Sequence, residues 1–148
     1  MFERLKALLH LGQAPDRPLP DLDASHALGA LLVKVAMADH AYLFEEVEQI
    51  DRTLAKACGL DPVRAARMRA VCERLAKDGP DAATMAEHIR EAVPLAQRRA
   101  AAEALWDVVH ADGITGTDES AMVAMIEEHL GLGDDALDAE RRRLLDTL

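Results

Sequence analysis

Apolar residues recur every third or fourth position along most of this chain. Strict alternation of apolar and polar positions is absent, so the pattern predicts helices and no strands. In residues 1–10, MFERLKALLH, the positions Phe2, Leu5, Leu8 and Leu9 fall at helical spacing, with Glu3, Arg4 and Lys6 opposite. That is a short amphipathic helix, and residues 1–11 form an N-terminal arm. The next stretch, GQAPDRPLPDLD, carries three prolines and a glycine. Residues 12–22 are therefore an extended linker, and a helical body spans residues 23–148.

Seven helices are expected in that body. The first runs over about 24–38, with Leu28, Leu31, Leu32, Val35 and Ala36 on one face. The second runs over about 44–58 and stops at Gly59, a residue suited to a helix C-terminus. The third begins after Asp61, with Pro62 in the first helical position, and ends before the sequence DGPD. The fourth opens at Asp81, and the fifth begins at Pro94 and continues to Ala111. The sixth opens near Thr117 and stops at Gly131, and the seventh starts at Asp134.

The pattern repeats. LLVKVAMADHAYLFEEVEQI, from residue 31, aligns with ALWDVVHADGITGTDESAMV, from residue 104. Ala38-Asp39 falls on Ala111-Asp112, and Glu46 falls on Glu119. One residue is then dropped, and LAKACGL matches IEEHLGL. Each copy is a helix, a turn led by Asp, and a second helix with Glu in its first turn. The reading is an all-α bundle of about seven helices built on duplicated helical hairpins with pseudo-twofold symmetry.

Composition narrows the function. The chain has 148 residues and a formal net charge of −10. An acidic surface repels phosphate backbones, which excludes nucleic acid as a general partner. Cys58 and Cys72 have no metal-ligand spacing and are expected to be reduced thiols in or near the core. No signal peptide or membrane span is visible, so the expected location is the cytoplasm, with the inner face of the membrane as a place of association. Ten residues with one modest apolar face bind a membrane weakly alone. The arm is therefore expected to pack on the body or on a second subunit in a homo-oligomer. No phosphate loop, zinc-protease motif or nucleophile elbow is present, and the expectation is a protein that is not an enzyme.

The duplicated Ala-Asp turns, the Glu that follows each, the Leu-Trp before the second and the closing Gly-Leu of each copy resemble the tellurite-resistance protein B (TerB) family. The resemblance covers about residues 24–133. It implies a compact all-α fold, a link to tellurite or general stress responses, and acidic residues suspected of metal binding. In the first copy His40 stands where the family has Gly, and AYLF replaces a polar capping turn.

Two readings of the turns stand. In one, Asp39, Glu46, Asp112 and Glu119 bind a divalent cation. Oxygen ligands suit Ca²⁺ or Mg²⁺, and participation of His40 or His110 would favour Zn²⁺. The turn is not an EF-hand, because the third and fifth positions from Asp112 are Ile114 and Gly116. In the other reading, Asp and Glu simply satisfy backbone N–H groups of their own turn and helix. The domain is then a metal-free protein-interaction module or co-chaperone-like adaptor. Tyr42, Leu43 and Phe44 either close over the core or present an apolar patch to a protein partner.

Overall fold

A computed structural model of the chain describes residues 19, 22–39, 41–111 and 117–133. Among these residues the fold is all-helical. The helices are α1 (Ala24–Ala36), α2 (Phe44–Cys58), α3 (Pro62–Asp78), α4 (Ala82–Ala92), α5 (Leu95–Val109) and α6 (Thr117–His129). The arm at 1–11 and the seventh helix expected from Asp134 lie outside the described residues, so six of the expected helices are seen.

Aspartates start three of the helices. Asp23 accepts a hydrogen bond from the His26 N–H at 2.7 Å, Asp61 from Arg64 N–H at 2.8 Å, and Asp81 from Thr84 N–H at 2.8 Å. Each removes one orphan donor from a helix end, worth about 1 kcal/mol. Pro62 occupies the first turn of α3, where its missing N–H costs nothing. Pro94 instead takes the cap position of α5, which begins at Leu95, one residue after the expected start.

α1 is the centre of the molecule. It packs against all five other helices. Its buried residues, Ala27, Gly29, Ala30, Leu31, Leu32, Val33, Val35 and Ala36, occupy every side of the helix. The small residues let neighbours approach closely. A Cβ placed on Gly29 would lie 2.3 Å from Cys72 Sγ of α3, so the α1–α3 crossing requires glycine there. Cys72 is buried, Cys58 is half-buried, and both are free thiols.

Polar contacts tie the outer helices together. Arg69 of α3 donates to Asp51 of α2 and to Glu73 of its own helix, both at 2.6 Å. Arg98 of α5 donates to the Leu130 carbonyl at 2.7 Å. That bond closes the C-terminal end of α6, where carbonyls lack helical partners and the dipole favours a cation.

The duplication is visible in the packing. α1–α2 and α5–α6 are the two hairpins. α2 of the first packs on α5 of the second, and α6 of the second packs on α1 of the first. A twofold exchange of hairpins produces this reciprocity.

Candidate functional site: the paired acidic turns

The described parts of the two turns correspond in position. α1 ends at Ala36 and α5 at Val109, 73 positions later. The capping residues Met37 (φ −91°, ψ −2°) and His110 (φ −93°, ψ 0°) share one conformation. In the first turn Met37 N–H donates to the Val33 carbonyl and Ala38 N–H to that of Val35. In the second, His110 N–H donates to Trp106 and Ala111 N–H to Val108. α2 and α6 then begin at equivalent positions, Phe44 and Thr117. Their far ends match too, with the one-residue offset seen in the sequence. Gly59 (φ 63°) and Gly131 (φ 77°) both turn left-handed. Leu60 N–H reaches the Ala55 carbonyl as Leu132 N–H reaches that of Glu127. These are paired Schellman-type ends, in which a residue with a Cβ would be strained.

Glu46 and Glu119 stand third in their helices and are almost fully buried, at 1% and 3% exposure. Burying a carboxylate is costly unless polar partners replace its water. Glu46 Oε1 accepts from Leu43 N–H at 3.2 Å. Leu43 caps α2 but has no side-chain acceptor, so Glu46 supplies one arm of a capping box by itself. Asp39 is exposed, and its Oδ1 accepts from Ala41 N–H at 3.0 Å. This is an Asx turn. Both carboxylates of the first copy thus serve their own turn.

Asp112 and His40, together with 113–116, lie outside the described residues. Among the described residues, no three His, Cys, Asp or Glu side chains come together as a metal-holding group. His110 is described: its ring stacks on Trp106, with centroids 5.8 Å apart. Trp106 is half-buried against the core and donates its indole N–H to Glu127 at 2.5 Å.

The three large residues at the start of α2, Tyr42, Leu43 and Phe44, divide. Tyr42 packs against the core. Its buried hydroxyl faces the Arg69, Asp51 and Glu73 charges. Burial first, then Glu73, push the phenol up to about 12, against the pull of Arg69. Leu43 and Phe44 turn outward, at 38% and 70% exposure, and Met37 at the end of α1 is exposed as well. The expected patch is therefore Leu43 and Phe44, without Tyr42.

The TerB family model, described as tellurite resistance protein TerB, matches residues 25–142. The chain belongs to the TerB family. The match takes in both hairpins and both acidic turns of this TerB domain. No curated protein and no solved structure matches it. No helix among the described residues of the TerB domain is long and apolar enough to cross a membrane.

Two contributions to the TerB domain had no signal in sequence. Arg98 closes a helix end whose carbonyl is 32 residues away. Glu127 accepts from Trp106 across 21 residues. Local spacing cannot show partners at such separations.

Proposed function

We propose that this is a non-enzymatic TerB domain of a stress response, in which the paired turns hold a divalent cation. Glu46 and Glu119 are the inner anchors, and Asp39 and Asp112 are the outer ligands. The observation that carries this reading is the matched burial of Glu46 and Glu119 at equivalent positions. A carboxylate held out of bulk water attracts a cation more strongly than an exposed one does, and the duplication puts such a carboxylate in each copy. An oxygen donor set favours Ca²⁺ or Mg²⁺ over softer ions. The engagement of the His110 ring with Trp106 argues against recruiting it for Zn²⁺. Titration of metal-stripped protein with Ca²⁺, Mg²⁺ and Zn²⁺ tests the reading. A cation should raise the melting temperature, and Asp112→Asn with Glu119→Gln should abolish that rise. No response to any of the three ions sinks the proposal. Retained affinity in the double variant sinks the ligand assignment.

A second reading is favoured by the first turn. Asp39 and Glu46 already bond backbone N–H groups there, while Leu43 and Phe44 are exposed. In this reading the domain is a metal-free adaptor that meets a protein partner through the α1–α2 turn. Phe44→Ser should then abolish partner capture in a pull-down while leaving the helical content intact. An unchanged set of captured partners would remove this reading.

A further inference from the structure

A groove of about 640 Å³ runs between α2 and α5. Arg52 and Lys56 stand on its α2 wall, Ala100 and Ala104 on its α5 wall, and Leu28 and Ile89 on its floor. Ala100 is exposed and Ala104 half-buried. Their counterparts 73 positions earlier on α1, Ala27 and Leu31, are fully buried. The two halves of the duplication therefore differ in what covers this face.

α4 accounts for the difference. It packs on α1 and α6 and buries Ala82, Met85, Ala86 and Ile89. Exchanging the two hairpins turns the pair α1 and α6 into the pair α5 and α2, the two walls of the groove. The groove is thus the first half's version of the place that α4 fills in the second half. α4 directly precedes its own hairpin in the chain. The segment that precedes the α1–α2 hairpin is residues 1–11. Its Phe2, Leu5 and Leu9 repeat the spacing of Ala82, Met85 and Ile89.

We propose that residues 1–11 dock as an amphipathic helix in the groove between α2 and α5, in the role that α4 plays between α6 and α1. Two lengths agree with this. The α5 wall runs from Gln97 to Asp107, about 15 Å at 1.5 Å per residue, and a helix over residues 1–11 has about the same length. Ala24, at the start of α1, lines the groove. Residues 12–21, extended at about 3.1 Å each, reach roughly 30 Å and can lead the segment back along it. The chemistry is also suitable. Phe2, Leu5 and Leu9 meet the alanine wall and the apolar floor. The lining carries both signs, Arg52 and Lys56 from α2 with Glu103 and Asp107 from α5, and the segment brings Glu3 with Arg4 and Lys6. The proposal is independent of the cation reading.

The test uses the full chain, compared with Leu5→Glu plus Leu9→Glu by ¹⁵N amide spectra and thermal melting without added metal. The amides of Ala57, Ala100 and Ala104 should shift, and the melting temperature should fall by about 2 to 5 °C. Ala104→Glu, on the groove side, should in turn shift the amides of residues 2–9. Groove amides that stay in place in the double variant overturn the proposal. So do wild-type groove amides that move on dilution, because a second copy would then be supplying the segment.

Discussion

Gly29→Ala isolates the tightest contact of the central helix. In an exposed helix this change is favourable by about 1 kcal/mol, since glycine is the poorer helix former. Here the added methyl would lie 2.3 Å from Cys72 Sγ and 3.3 Å from Leu54 Cδ2. Cys72 and Leu54 are fully buried, so neither has open space to retreat into. Overpacking a tight core costs about 1 to 3 kcal/mol. Setting about 2 to 3 kcal/mol of overpacking against the helix gain leaves Gly29→Ala destabilising by about 1 to 2 kcal/mol, a fall in melting temperature of roughly 3 to 6 °C for a chain of this length. Urea unfolding followed by far-UV circular dichroism measures this as a lower midpoint at constant slope. The partner can be removed as well. Cys72→Ala deletes the sulfur at a cost of about 1 kcal/mol for the space left, and the Gly29→Ala methyl can then occupy part of that space. The double variant should be more stable than the sum of the single effects by about 1 to 2 kcal/mol. A Gly29→Ala protein as stable as the wild type, or strictly additive effects in the double variant, would refute the claim that this crossing is set by the Gly29–Cys72 contact.

Arg69→Ala should cost about 1 to 2 kcal/mol in urea unfolding, because it strands the partly buried carboxylates of Asp51 and Glu73; Arg52→Ala, at an exposed pair with Glu48, should stay within about 0.5 kcal/mol. A thiol reagent at pH 8 should modify Cys58 first and leave Cys72 unmodified until unfolding, since Cys72 is buried and desolvation pushes its thiol up to about 12; mass spectrometry after peptide digestion reads the order. Acid should weaken the fold through Asp23 and Asp81. At Asp23 burial opposes ionisation, but the bonds from His26 hold the carboxyl below 3.8, while the side-chain and backbone bonds from Thr84 lower that of Asp81. Depressed carboxyl groups stabilise the fold above their unfolded value and lose that contribution as pH falls through the folded one. Melting temperature should therefore drop below about pH 4, and Asp23→Asn with Asp81→Asn should flatten that drop.

The sequence made the helices legible because their ends are local. Asp61 before Pro62, Asp81 before α4 and glycine after α2 and α6 each act through bonds to residues within a few positions. The repeat was legible for the same reason, since a hairpin's turn and its two flanking helices form one short run of chain. What escaped was the direction of individual side chains. Tyr42 and Phe44 are two residues apart and equally apolar in pattern, yet one packs inward and the other faces solvent. The Arg69 charge cluster joins α3 to α2 across 18 residues, and it sets the surroundings of the Tyr42 hydroxyl. At the acidic turns the sequence marked Glu46 and Glu119 but left open how deeply they lie. Burial depends on which helices cover the turn, and those helices are distant in the chain.

An apolar surface on every side of α1 has a consequence for the order of assembly. A helix with one apolar face can wait in water with its polar face outward, but α1 has no such face. Its partners α5 and α6 begin some seventy and ninety residues later in the chain, at the slow end of contact formation. During synthesis α1 emerges well before them, and α2 and α3 must shield it first. A chain halted between α3 and α5 would leave α1 partly uncovered, the kind of exposed surface that draws chaperones and aggregates. The residue spacing that builds a dense centre in the finished molecule therefore makes the half-made one the most vulnerable stage of its life.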